Sequence, residues 1–182
     1  MKKDYTQKMQ FKRKRLGRTD YKNRLVLLKA GQPRLVVRKF NKNLLAQVVE
    51  YHPDGDKVLA SFHSRSLLKN YGWKVSRSNL PTGYLVGLGL SKKAQQKGVK
   101  TAVLDLGLYS IEKGTVFFSV VKGVIDGGIK VPCDPKMFPD DKRISGKHIV
   151  DYALIAKEKI KKYDPNLLLS EFEKIKEKIM KQ

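Results

Sequence analysis

The sequence predicts an α/β domain: a three-stranded antiparallel meander plus one parallel strand, with helices packed on the resulting sheet. Three observations predict it. Residues 34–63 hold three short apolar runs separated by turn signals. Beyond them the apolar spacing becomes helical, with proline and glycine at the expected helix ends. A fourth apolar run, 101–106, lies between two helical segments, as a crossover to a parallel strand requires. A basic N-terminal arm with a short helix (1–33) precedes the α/β core domain (34–140), and a helical C-terminal extension (141–182) follows it.

The arm reads Gln10-Phe11-Lys12-Arg13-Lys14-Arg15-Leu16-Gly17-Arg18, with too few apolar residues to build a core, so it is expected to stay flexible until bound. Thr19 and Asp20 offer an N-cap for a helix over 20–30, with Tyr21, Leu25 and Leu28 on one face and Lys22 and Arg24 away from it. Gly31 suits the position after the helix and Pro33 stops it. Arg34–Phe40, Leu44–Tyr51 and Lys57–His63 are the meander strands, separated by Asn41-Lys42-Asn43 and Pro53-Asp54-Gly55. Pro81 and Gly98 bracket a helix over 81–97. Gly83, Gly87 and Gly89 within it each cost about 1 kcal/mol against alanine, which close packing onto the sheet is expected to offset. Thr101–Leu106 reads as a strand buried on both faces. Thr115 opens a helix with Val116, Phe117, Val120, Val121 and Val124 on one face, ended by Gly127-Gly128. Ser145 is expected to cap a helix over 146–162, and Asp164-Pro165 to start a last helix with Leu168, Phe172, Ile175 and Ile179 at helical spacing.

Charge narrows the function. The 182 residues carry 39 Lys and Arg against 17 Asp and Glu, a net +22. Residues 1–43 alone hold 15 basic and 2 acidic side chains. Concentrating charge in an arm costs self-repulsion unless a polyanion neutralises it, so nucleic acid is the leading partner class and an anionic membrane surface the second. The longest stretch free of charge, between Arg77 and Lys92, is shorter than the roughly 18 residues of a membrane span, and no apolar leader follows Met1. A soluble intracellular protein is expected.

Nothing in the sequence supports catalysis or a cofactor. Cys133 is the single cysteine, and His52, His63 and His148 lack metal-ligand spacing. Gly87 and Gly89 are followed by Lys92 where a dinucleotide-binding loop needs glycine. Of Asp105, Asp126 and Asp134, only Asp105 sits at the end of a strand, and it has no histidine, phosphate loop or nucleophile elbow to work with. Tyr71-Gly72-Trp73-Lys74, assigned to a loop, sets aromatic rings beside a cation, the combination that unpaired RNA bases use for stacking and phosphate contact; a single tryptophan in a small domain is more often a core or rim packing residue, the reading favoured for Trp73.

Several segments together resemble one family. They are Arg34-Leu35-Val36-Val37-Arg38 with Asn41-Lys42-Asn43 and Ala46-Gln47, Tyr71–Lys74, Asn79-Leu80-Pro81-Thr82-Gly83-Tyr84-Leu85, Ala102–Gly107, Lys122–Gly128 through Pro132, and Arg143-Ile144 with Gly146-Lys147-His148-Ile149. The chain resembles, from the arm to about residue 152, the archaeal form of the large-subunit ribosomal protein that binds 5S rRNA, called L-eighteen in bacteria and L-five in eukaryotes. The resemblance implies a structural constituent of the ribosome, not an enzyme, cytoplasmic and ribosome-bound, that anchors 5S rRNA in the central protuberance. It implies as partners 5S rRNA, 23S-type rRNA and neighbouring proteins of the protuberance. It points to Lys12, Arg13, Lys14, Arg15, Arg18, Tyr21 and Arg24 on the arm and Arg34, Arg38, Asn41 and Lys42 at the sheet, to which the aromatic reading adds Tyr71, Trp73 and Lys74. A free-standing basic nucleic-acid-binding or RNA-modifying protein is the alternative.

Overall fold

A computed structural model describes residues 9–155 and 165–181. The arm begins with one helical turn, α1 (Lys12–Arg15), which buries no side chain. Asp20 accepts hydrogen bonds from the backbone N–H groups of Lys22 and Asn23 and so starts α2 (Tyr21–Lys29). Its buried face differs from the expected one. Tyr21, Arg24, Leu27 and Leu28 turn inward, while Leu25 is 56% exposed. Arg24 sets this rotation, because its ion pair with Asp56 draws it toward the body.

The sheet has the order β3-β2-β1-β4. Strands β1 (Arg34–Lys39), β2 (Leu44–Glu50) and β3 (Lys57–His63) form the predicted antiparallel meander, and β4 (Val103–Asp105) pairs parallel to β1. The register pairs Val37 with Ala46 and Ala46 with Phe62. With the two-residue alternation of strands, this sends Leu35, Val37, Ala46, Val48, Ala60 and Phe62 to one buried face. Val36, Gln47 and Arg38 take the other. A bulge between Val48 and Val49 turns Val58 outward and lets Leu59 pack on the core. The fourth strand is shorter than expected and lies at the sheet edge, so Val103 and Leu104 are half-buried rather than enclosed on both faces.

One helix missed by the sequence reading follows the meander: α3 (Ser64–Tyr71), where a loop was expected. Gly72, at φ +76°, closes it as a left-handed cap and is the signal that marked its end.

The central helix is α4 (Leu80–Gln95), started by the Asn79 side chain accepting from the Thr82 N–H. From Leu80 to Ser91 every residue is buried, so its hydrophobicity runs all round. It lies on β2 and β3, against α5 (Val116–Asp126), and under α8 (Pro165–Met180). The expectation that its glycines pack on the sheet holds for Gly89, which faces the Phe62 ring. Gly83 and Gly87 instead face α5, at Val116 and Val120, and Gly123 of α5 reciprocates against the Tyr84 carbonyl. Two backbones meet directly where side chains would hold them apart, and the Ser119 hydroxyl donates to the Leu80 carbonyl across the contact (2.7 Å).

Ser145 does not cap the next helix. It ends α6 (Asp141–Ser145), and Gly146, at φ +90°, redirects the chain into α7 (Lys147–Ile155). A side chain at Gly146 would collide with Leu168 of α8, so the close approach as well as the dihedral favours glycine. Residues 156–162 of the expected longer helix lie outside the described residues. Leu168, Phe172, Ile175 and Ile179 of α8 are all buried in the same core as the sheet. No helix among the described residues is long and apolar enough to cross a membrane.

Gly87→Ala should therefore destabilise the fold despite alanine's better helix propensity. The new methyl would fall within contact distance of the Val120 carbonyl, and overpacking of this kind costs about 1–3 kcal/mol or more. Urea unfolding checks this, and an unchanged midpoint would mean that α4 and α5 do not meet here.

Candidate nucleic-acid interface

The face of the sheet turned away from α4 carries Val36, Arg38, Gln47, Val49 and Val58, and the arm folds over it. Between arm and sheet lies a hollow of about 760 Å³ reaching from Arg13 and Arg18 to Arg38 and Tyr109. On the arm, Phe11 rests against Tyr21 with ring centroids 5.5 Å apart, and the Arg13 Nε–H donates to Thr19 Oγ1 (2.8 Å). Lys12, Arg13, Lys14, Arg15 and Arg18 are all exposed, and no carboxylate pairs with any of them among the described residues. Their charge is left for an external anion.

Below the arm the charges are paired. Arg24 of α2 donates to both oxygens of Asp56 (2.9 Å each), in the turn before β3. Arg34 of β1 donates to Asp56 Oδ2 on one side (2.6 Å) and to Asp105 Oδ2 on the other (2.6 Å). Arg38 reaches Asp105 Oδ1 (3.3 Å) and the Val37 and Asp105 carbonyls. The Asp105 carboxylate also accepts from the Gly107 N–H (2.9 Å). Gly107, at φ +68°, has no side chain to displace the Arg38 guanidinium that lies against it. The result is an alternating chain, Arg24–Asp56–Arg34–Asp105–Arg38, running from the arm across the sheet to its edge strand. At Asp56, burial acts to raise the pKa, but hydrogen bonds from Arg34 and Arg24 and their positive charge outweigh it, leaving the carboxyl below its ordinary value.

This arrangement sorts the residues expected to touch RNA. Lys12, Arg13, Lys14, Arg15, Arg18, Asn41, Lys42 and Lys74 are exposed; Tyr21 and Arg24 are half-buried beside the hollow. The Arg38 side chain is 33% exposed and lines the hollow. Arg34 is only 3% exposed and held by two carboxylates, so it organises this face of the sheet and presents no free guanidinium on it. Trp73 is a correction: it is fully buried, and its Nε1–H donates to Thr82 Oγ1 (2.9 Å), fixing the loop to the start of α4. A ring enclosed on both faces cannot stack on a base. Tyr71 is half-buried and packs against the core.

The tyrosines that do border the hollow are the expected Tyr21 and two not expected from the sequence, Tyr51 and Tyr109. Tyr51 is 53% exposed; Tyr109 lies against Phe117 and donates its hydroxyl to the Lys39 carbonyl (2.8 Å). Tyr51 follows the end of β2 and Tyr109 lies in the turn beyond β4, so no strand or helix period in the sequence marks where they face.

The residues weighed for catalysis have structural partners. Asp105 is held as described, Asp126 accepts from the Tyr84 hydroxyl (2.8 Å), and Asp134 caps a short 3-10 turn. Burial and then the Asp134 charge raise the Cys133 thiol, disfavouring a thiolate.

The family model described as ribosomal large-subunit proteins 60S L5 and 50S L18 matches residues 5–100. A relative from Caldivirga maquilingensis, the large ribosomal subunit protein uL18, is 40% identical over 188 residues, covering 96% of this chain and 91% of its own. The chain belongs to this ribosomal family. As a family member it is a structural constituent of the large subunit that binds ribosomal RNA and works in translation, and it is not an enzyme. The exposed arm cations and the hollow beneath them are the features of this fold suited to that task, since a phosphate backbone needs unpaired cations held in a fixed arrangement.

Two substitutions separate structure from binding. Trp73→Ala should lower stability by about 3–5 kcal/mol, as large-to-small changes at buried aromatics do, with RNA affinity of the folded protein unchanged. Asp105→Ala leaves Arg34 buried with one carboxylate fewer and should cost about 3–5 kcal/mol in denaturant unfolding, the magnitude for breaking a buried pair. An Asp105 variant as stable as the parent would mean the chain of charges does not hold arm, sheet and edge strand together.

Proposed function

We propose that this protein binds 5S rRNA through its arm and the outer face of its sheet and anchors that RNA in the central protuberance of the cytoplasmic large subunit. The observation that carries the reading is the run of unpaired cations, Lys12 to Arg18, of which Arg13 and Arg18 line the hollow over a sheet face whose own charges are largely paired. Two layers of free charge would repel each other when empty. One free layer above a paired one can close on a phosphate backbone without that cost. In this reading residues 1–33 are the gripping arm, 34–140 the core domain that offers the sheet, and 141–182 a helical extension whose α8 braces α4. Lys12, Arg13, Lys14, Arg15 and Arg18 contact phosphates, Arg24 and Arg38 border the RNA, and Tyr21, Tyr51 and Tyr109 supply ring faces. RNA is favoured over an anionic membrane because the hollow is a shaped cleft with aromatic edges, and shape and stacking are how proteins read folded RNA. 23S-type rRNA and neighbouring proteins of the protuberance are the remaining partners in this reading.

The test is the salt dependence of 5S rRNA binding. Each phosphate contact contributes about −0.7 to −0.9 to the slope of log K against log salt. Replacing Lys12, Arg13, Lys14 and Arg15 by Ala should make the slope shallower by roughly 2–4, with partial preference for 5S over other structured RNAs retained. An unchanged slope would remove the arm from the interface.

A further inference from the structure

At the far end of the sheet from Asp56, α3 and the loop after it carry only positive charge. Between Lys57 and Leu104 the sequence holds nine Lys and Arg and no Asp or Glu. The fold gathers part of this acid-free stretch at one place. The Ser64 hydroxyl accepts from the Leu44 N–H (3.0 Å) and the Ser78 hydroxyl donates to the Asn41 carbonyl (3.3 Å), which brings α3 and the loop after it against the β1–β2 turn. Leu67 points into the core, which leaves Arg65 and Lys69, one helical turn apart, on the outer side of α3. With Asn43, His63 and Ser66 they line a hollow of about 340 Å³. Neither Arg65 nor Lys69 has a carboxylate partner among the described residues. His63 registers the resulting field: burial first, then the charges of Arg65 and Arg77, hold its pKa below the usual value. Its Nδ1 accepts from the Arg65 N–H (3.0 Å), so the ring's proton sits on Nε2, where it can be donated.

We propose that this hollow is a second contact for the phosphate backbone of ribosomal RNA, made by Arg65 and Lys69 with Ser66 and His63 as neutral donors and Lys42 and Lys74 exposed on elements of the same end of the fold. The six residues of β1 put it about 17 Å from the Arg34 end, too far for one side chain to serve both places. The protein therefore grips RNA at both ends of its sheet. A phosphate backbone fits better than an acidic peptide: Asn43, His63, Arg65, Ser66 and Lys69 line the hollow, and no aliphatic or phenyl side chain among them forms a socket to anchor a partner's side chain. The inference rests on the family's binding of ribosomal RNA and not on the choice of 5S rRNA as the arm's ligand.

The experiment uses the full chain with transcripts of 5S rRNA and of the large-subunit rRNA as separate probes. Arg65→Gln with Lys69→Gln should leave the thermal melt in place and make the salt slope shallower by about 1–2 with at least one transcript. Lys69→Glu alone should weaken binding to that same transcript. Slopes and affinities equal to the parent's with both transcripts would overturn the proposal, and so would loss of binding to an acidic ribosomal protein with RNA binding intact. The arm variant tests the 5S reading independently: if it leaves 5S binding unchanged while the α3 variants still lower a slope, that reading fails and this one stands.

Discussion

A guanidinium taken out of water must keep its partners, and Arg34 begins the inner strand β1 with almost no exposure. Its two carboxylates come from opposite directions, Asp56 from the turn before β3 and Asp105 from the edge strand. Each of those carboxylates is shared with a further arginine, Arg24 on the arm and Arg38 on β1. Removing either carboxylate takes one of Arg34's two partners and the ion-pair partner of a second arginine, so the arm's seat, the meander and the parallel strand are linked to one another through Arg34. The same pairing makes the sheet face nearly neutral beneath a strongly basic arm.

On the opposite face the constraint is distance. Gly83 and Gly87 on α4 and Gly123 on α5 remove the side chains that would separate the two helices. Their helix cost is offset by backbone-to-backbone contact and by the hydrogen bond from Ser119 to the Leu80 carbonyl. Because α4 is then enclosed by the sheet, α5 and α8, the C-terminal helix shares the core with the strands. A platform of this kind would keep the sheet's shape fixed in the RNA contact proposed above.

The charge of the chain accordingly takes three forms. In the arm it is free and exposed; across the sheet it is paired; at α3 it is free again, in a stretch without a single carboxylate. A protein that needed charge only for solubility has no reason to neutralise one zone so thoroughly and leave its flanks bare. For a constituent of the large ribosomal subunit, the two bare zones are the ones proposed above to meet RNA.

Local chemistry was legible in the sequence. The Asp20 cap, the Pro53-Asp54-Gly55 turn, the glycine ends of the helices and the buried spacing of Leu168, Phe172, Ile175 and Ile179 all depend on neighbours within a few residues, and each stands where the pattern put it. The meander and its parallel fourth strand followed from the same signals. What tertiary structure decided was every matter of partner and face. Trp73 lies in the core because Thr82, nine residues on, meets its indole N–H, and α2 turns Arg24 inward because Asp56 lies 32 residues away. Arg34 reads in sequence as one more cation for RNA; Asp105, 71 residues distant, removes it from that role. A sequence window records which side chains are charged, but only the folded chain brings together the opposite charges that determine which cations remain free.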